Sequence, residues 1–241
     1  MKILITICAR GGSKGIPGKN IKEINERPLI DYTITLANNF KKKYKDVEIA
    51  LSTDSKEIIT VAAQCGLETD YVRPTYLATD STGKITAIND VLIHKESKLN
   101  IKFDYILDLD VTSPLRNLKD LENAFNLIKG NKEAINLFSV NNSSRNPYFN
   151  MVEKKDNGFY SLVKEIKDEK VLSRQKAPKV YDMNASFYFY KRKFFDLNYK
   201  AAVTDKSLIY IMPHECFDLD NPLDFEMLSY LILNNKLTFP L

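Results

Sequence analysis

The chain has 241 residues, 44% of them hydrophobic, with 35 Lys plus Arg against 31 Asp plus Glu and a net charge of +4. This is enough apolar material for the core of one domain, and no apolar run reaches the roughly 20 residues of a bilayer-spanning helix. The three cysteines, Cys8, Cys65 and Cys216, stand too far apart for a metal motif or a disulfide framework, and the scattered lysines make a solvated surface rather than a nucleic-acid face.

The first element, "KILITICA" (2–9), reads as a buried strand of the parallel type, apolar on both faces. It is too short for a signal peptide and runs directly into a loop, so the protein is expected in the cytoplasm. "PLIDYTITLANNF" (28–40) is a helix opened by Pro28, with Ile30, Ile34 and Ala37 on one face. "KKKYK" (41–45) follows, where cations suit the helix dipole. "VEIALSTD" (47–54) is the second strand and "SKEIITVAAQCG" (55–66) a helix closed by Gly66. "DYVRP" (70–74) is expected as a short strand stopped by Pro74. A helix over 81–96 turns Ile85, Ile88 and Leu92 inward. "DYILDLD" (104–110) is a strand, 118–130 a helix and 133–140 a strand. Over 141–180 the periodicity lapses into polar residues, expected as an insertion or as an arm that packs on a second subunit. Strands at 184–192 and 207–213 and a helix at 221–235 complete the chain. Repeated strand–helix units imply one α/β domain over 1–241 with a mainly parallel sheet, whose ligands bind at the carboxyl ends of the strands.

At that end stands "ARGGSKGIPGKN" (9–20). Gly11, Gly12, Gly15 and Gly18 let backbone N–H groups approach a phosphate, while Arg10, Lys14 and Lys19 supply charge. The register fails the Walker A pattern at Ser13 and Asn20, and the glycine spacing also fails the G-x-G-x-x-G fingerprint. D-L-D occurs twice, at 108–110 and 218–220, each able to turn two carboxylates to one face. Such pairs at strand ends suit a hard cation. Asp108 is expected to be structural, and Asp218 and Asp220 are expected as ligands, with N-capping of the last helix the competing role. Only seven residues are Arg, and Arg10, Arg73, Arg116 and Arg174 fall where the fold should form one rim. Arg116 either joins that rim or pins the following helix. His94 and His214 lack a metal-ligand neighbour and are expected to be structural.

The loop, taken with "STD" (52–54), "RP" (73–74), "TSPLR" (112–116), "SRQ" (173–175) and "FDLD" (217–220), closely resembles the acylneuraminate cytidylyltransferases, the CMP-sialic acid and CMP-legionaminic acid synthetases. The ordered set spans almost the whole chain. The resemblance implies a Rossmann-like nucleotidyltransferase fold, CTP and a nonulosonic acid as substrates, Mg2+ (or Mn2+) as cofactor, and a homodimer built through 141–180. It assigns Ala9, Arg10, Gly11, Ser13, Lys14, Lys19, Asn20, Arg73 and Asp110 to the nucleotide. Arg10, Lys19 and Asp218 are assigned to catalysis, and Asp220, Asp218 and Asp110 to the metal. Arg174, Gln175, Asn184, Ser186 and Tyr188 are assigned to the sugar. Two departures stand out. Asp110 replaces the family's usual Gln, which means either a second carboxylate on the metal or a changed sugar contact. Asp182 replaces an Arg, a charge reversal that points away from plain N-acetylneuraminate and toward legionaminic acid. Cytidylyltransferases for KDO or pseudaminic acid, or a non-catalytic nucleotide-binding relative, are the alternatives. The "GIPGKN" tail argues against KDO.

Overall fold

The structure is a computed structural model and describes residues 1–12, 15–79, 81–167 and 170–241. Strand β1 (Ile3–Cys8) leads through the glycine loop to a small hairpin, β2 (Glu23–Ile24) and β3 (Arg27–Pro28), and then to helix α1 (Leu29–Lys43). β4 (Val47–Ser52), α2 (Lys56–Gln64), α3 (Lys84–Leu99), β5 (Tyr105–Leu109) and α4 (Leu118–Gly130) follow. β6 (Asn136–Asn142), a hairpin of β7 (Val152–Lys154) and β8 (Tyr160–Leu162), β9 (Tyr181–Lys191), α5 (Arg192–Asp196), β10 (Ser207–Ile211) and α6 (Pro222–Leu233) complete the chain.

Six strands pair in the order β10-β6-β9-β5-β1-β4. β5, β1 and β4 run parallel, as do β10 and β6, while β9 is inserted antiparallel between the two groups. The fold is therefore the expected α/β type with a mostly parallel sheet. α1, α2, α4 and α6 supply Ile34, Ile58, Phe125 and Leu228 to the core on one face, and α3 and α5 bury Ile88 and Phe194 on the other. Both faces of β1 are thus covered, which is why its sequence shows no polar alternation.

Helix ends are written in the sequence. Asn117 with Asp120 forms a capping box on α4, and Asn221 with Asp224 forms one on α6, where Pro222 opens the helix. Asn221, not Asp218 or Asp220, is therefore the N-cap of α6. The segment 70–74 is not a strand. β4 is the sheet's edge, and the backbone of the segment beyond it is tied back by one hydrogen bond, from the Arg73 N–H to the Thr53 carbonyl at 2.8 Å. Pro74, lacking an N–H, cannot extend a ladder there. The ladder of β9 is itself interrupted. Its register on β6 shifts between Phe138 and Val140, and Ala185 adopts a left-handed φ of 57°. On the other side the pairing with β5 runs on up to the kink, since the Asp110 N–H donates to the Ser186 carbonyl at 3.0 Å.

Candidate nucleotide-binding cleft

Strands β1, β4 and β5 end side by side, and a cleft of about 390 Å³ opens over their carboxyl ends. Arg10, Gly15, Lys19 and Asn20 line it from the glycine loop, and Arg73 lines it from beyond β4. Asp110 and Thr112 come from the turn after β5, and Asp220 comes from the segment before α6. Cations and carboxylates brought from positions 10 to 220 thus share one concavity.

Hydrogen bonds within it and to its surroundings fix the described residues of the loop. The buried Asn20 side chain donates to the Arg10 carbonyl at 2.9 Å. The Gly11 N–H donates to Asp54 Oδ1 at 3.0 Å. Lys19 Nζ donates to the Leu219 carbonyl, and so reaches the second D-L-D directly. Gly15 abuts the same segment: a Cβ there would stand 2.4 Å from the Asp220 carbonyl oxygen. Only a residue without a side chain allows that approach. Ala9, buried at the strand's end, hydrogen-bonds the Ser52 carbonyl through its N–H, so it anchors the loop and does not line the cleft. Ser13 and Lys14 lie outside the described residues. Arg73 is buried and donates to Ser52 Oγ at 2.9 Å and to the Ser52 carbonyl at 2.7 Å, which holds the guanidinium at the wall.

The back wall is carboxylate-rich. Asp108, wholly buried, accepts from Thr6 Oγ1 at 2.7 Å. Lys84, the first residue of α3, lies 2.7 Å from Asp108 Oδ2 and 2.6 Å from Asp110 Oδ2. Asp110 also accepts from the Thr112 N–H and hydroxyl, each at 3.0 Å. Burial alone would raise the Asp110 pKa, but Lys84 and Thr112 outweigh it and hold the carboxyl below its ordinary value. Burial, followed by the charge on Asp110, pushes Asp218 up instead. One oxygen of Asp218, Oδ1, is buried and has no hydrogen-bond partner among the described residues. Among the described residues, no three His, Cys, Asp or Glu side chains form a ready-made metal cage. The fit to a divalent ion rests instead on Asp218 and Asp220. An acceptor with no donor suits a hard cation, and Mg2+ commonly takes one or two carboxylates and completes its shell with phosphate and water.

Arg116 is no rim residue. It is buried and donates to the carbonyls of Ser113, Ser186 and Asp110 at 2.5, 2.9 and 2.7 Å, and to Thr33 Oγ1 at 3.0 Å. It knits the turn after β5 to β9 and α1. Burial without a carboxylate partner lowers its pKa to about 10. The residues expected to meet the sugar divide. Asn184 and Ser186 are buried with committed side chains. Asn184 accepts from Ser139 at 2.6 Å and donates to Asn141 at 2.8 Å, and Ser186 Oγ donates to the Ser113 carbonyl at 2.8 Å. They brace the wall and do not line the cleft. Arg174 and Gln175 are exposed on a single helical turn, also outside the cleft lining. Tyr188 comes nearest, with Lys84 Nζ 5.6 Å from its ring centroid and burial pushing its phenol up to about 12. Sequence reasoning missed Lys84, Thr79, Thr82 and Thr112, all of which line the cleft. The signal for Lys84 was present in "STGK", which sets a cation at a helix N-terminus, where the dipole disfavours it.

The model of the cytidylyltransferase family matches residues 4–229. The chain belongs to the cytidylyltransferase family. It is thus a nucleotidyltransferase. It is 39% identical to the post-translational flagellin modification protein B of Campylobacter coli, over 98% of this chain and 97% of that one. It is 40% identical to the CMP-N,N'-diacetyllegionaminic acid synthase of Campylobacter jejuni, over 96% and 95% of the two chains. Among solved structures, a CMP:2-keto-3-deoxy-manno-octonic acid synthetase complexed with CTP superposes with a TM-score of 0.65 at 15% identity, over 98% of this chain and 100% of that one. At that identity the likeness speaks for the fold alone. No helix among the described residues is long and apolar enough to cross a membrane.

Proposed function

We propose that the protein couples CTP to a nine-carbon 2-keto sugar acid of the legionaminic type, giving the CMP-sugar and pyrophosphate. The observation that carries this reading is the cleft itself, in which Arg10, Lys19 and Arg73 face Asp110 and Asp220. Cations on one side suit a triphosphate, and the carboxylate of Asp220 on the other suits the divalent ion that travels with it. The relative named for legionaminic acid and the acidic Asp182 both favour that sugar class.

Lys19 and Arg10 bind the triphosphate and offset the charge that develops on it as the anomeric hydroxyl attacks the α-phosphorus in line. Asn20 keeps the loop in its cradle shape, and Arg73 braces the nucleotide end. Asp220 and Asp218 would hold Mg2+, which when bound neutralises phosphate charge and lowers the pKa of a nearby hydroxyl. The carboxylate of Asp110 is already engaged by Lys84 and Thr112 and shapes the back wall. Tyr188 is the sugar-side residue nearest the cleft, with Arg174 and Gln175 available from the 141–180 region or a partner copy.

The hairpin β7–β8 and its flanks expose Phe159, Tyr160 and Leu172, the apolar surface a dimer contact through 141–180 would bury. A pyrophosphate-release assay with CTP and Mg2+ against N,N'-diacetyllegionaminic, N-acetylneuraminic, pseudaminic and KDO acids tests the reading. Turnover should be fastest with the legionaminic acid. Preference for another acid overturns the sugar assignment, and no release with any of them overturns the reaction.

A further inference from the structure

We propose that Lys84 is the resident cation of the cleft: its ammonium fills the position between Asp108 and Asp110 that a second divalent ion would otherwise take, and so confines metal to the Asp218–Asp220 side. The inference rests on the nucleotidyltransferase reading and concerns how many ions that site holds.

Two carboxylate oxygens, Asp108 Oδ2 and Asp110 Oδ2, converge on one point, and Lys84 Nζ occupies it at 2.7 and 2.6 Å. The other oxygen of each is already used, on Asp108 by Thr6 and on Asp110 by Thr112. Each carboxylate is therefore aimed, not loosely placed. Asp108 is fully buried and the Asp110 side chain is only 17% exposed. Two such charges without a counter-ion would be strongly unfavourable. The compensating cation comes from the chain, and it comes from an otherwise poor place, the N-terminus of α3. Lys84 lines the cleft with a third of its side chain exposed. It therefore stands between the carboxylates and any incoming cation. Asp108 Oδ2 makes no hydrogen bond of good geometry but has the Lys84 ammonium as its ion-pair partner, whereas among the described residues the buried Oδ1 of Asp218 meets neither a hydrogen-bond donor nor a paired cation. The four carboxylates thus divide into a pair closed by an ammonium and a pair left for metal.

The test is equilibrium dialysis of Mn2+ and CTP with no sugar acid present, reading Mn2+ bound per CTP bound. The wild-type chain should hold a single Mn2+ with each CTP. Asp110→Asn, which keeps the shape and size of the wall, should leave that ratio unchanged, while Asp220→Asn should lose the ion. Lys84→Met should gain a second Mn2+ per CTP, and its melting temperature should rise on Mn2+ addition by more than that of the wild type. Loss of Mn2+ by Asp110→Asn, or two ions on the wild-type chain, would overturn the proposal even where Lys84→Met fails to fold. A wild-type chain that binds no CTP would instead contradict the nucleotidyltransferase reading beneath it.

Discussion

Gly15→Ala isolates the contact on which the cleft depends. The added Cβ would meet the Asp220 carbonyl oxygen at 2.4 Å, a backbone atom that no rotamer can move. An ordinary carbon–oxygen contact is longer by about 1 Å, so the glycine loop or the segment before α6 must retreat by about that distance. Gly15 is exposed, and the strain follows from that one contact with the Asp220 carbonyl. The cost to global stability should stay near the low end of the ~1–3 kcal/mol seen for overpacking. The cost to function should be larger, because a displacement of about 1 Å at a site of phosphoryl transfer can reduce the rate by about 10²-fold. Steady-state pyrophosphate release at varied CTP, set beside thermal unfolding, separates the two. We expect kcat/KM for CTP to fall on the order of 10²-fold with little change in melting temperature. Gly130→Ala, where an added Cβ meets nothing within 4 Å, serves as the control and should match the wild type in both. An unchanged kcat/KM in Gly15→Ala would show that the two segments do not need their close approach, and the geometric argument for the cleft would fail.

Arg116→Met removes the buried donor to the Ser113, Ser186 and Asp110 carbonyls and should cost about 3 kcal/mol in urea unfolding, from the acceptors left without a partner. His214 lies 3.0 Å from Asp120 and stacks on Phe239; burial alone would lower its pKa, but the Asp120 carboxylate raises it above the ordinary value. Its contribution to stability is then complete below the unfolded-state value of about 6.5 and is lost as pH rises through the higher folded-state value. Melting temperatures measured from neutral pH upward should decline in the wild type, and less so in His214→Gln; parallel curves would contradict that linkage. Asn117→Ala deletes the capping box of α4 and should destabilise the chain by about 1 kcal/mol by the same urea assay.

Much of the architecture is legible in local sequence because local physics sets it. The both-faces-apolar β1, the Pro28 and Pro222 helix starts and the Asn117 and Asn221 caps each depend on residues a few positions apart. What escaped the sequence is long-range. Nothing local says that β9 runs antiparallel between β5 and β6, nor that its register on β6 shifts near a left-handed Ala185. The chain at 70–74 has strand-like residues, but it meets the β4 edge through the Arg73 N–H alone among its backbone groups, and Pro74 stops any ladder there. In the cleft, the loop cations and the D-L-D segments were readable as ligands of a polyanion and its metal, and the structure brings Arg10, Lys19, Arg73, Asp110 and Asp220 together. Asn184 and Ser186 had the polarity expected for sugar contacts, but polarity does not reveal which way a strand faces, and both turn into the wall. Lys84 left a local signal, a cation at a helix N-terminus, but its partners Asp108 and Asp110 lie more than twenty residues on, where no periodicity points to them.

Lys19 is the hinge of the account, since it bridges the glycine loop to the Leu219 carbonyl beside the metal-side carboxylates. Pyrophosphate release by Lys19→Ala, with CTP, Mg2+ and the preferred sugar acid, is the most direct measurement. Turnover should vanish while circular dichroism and the melting temperature remain those of a folded chain. A folded Lys19→Ala that turns over at near wild-type rate would contradict the claim that loop and carboxylates act on the same phosphates.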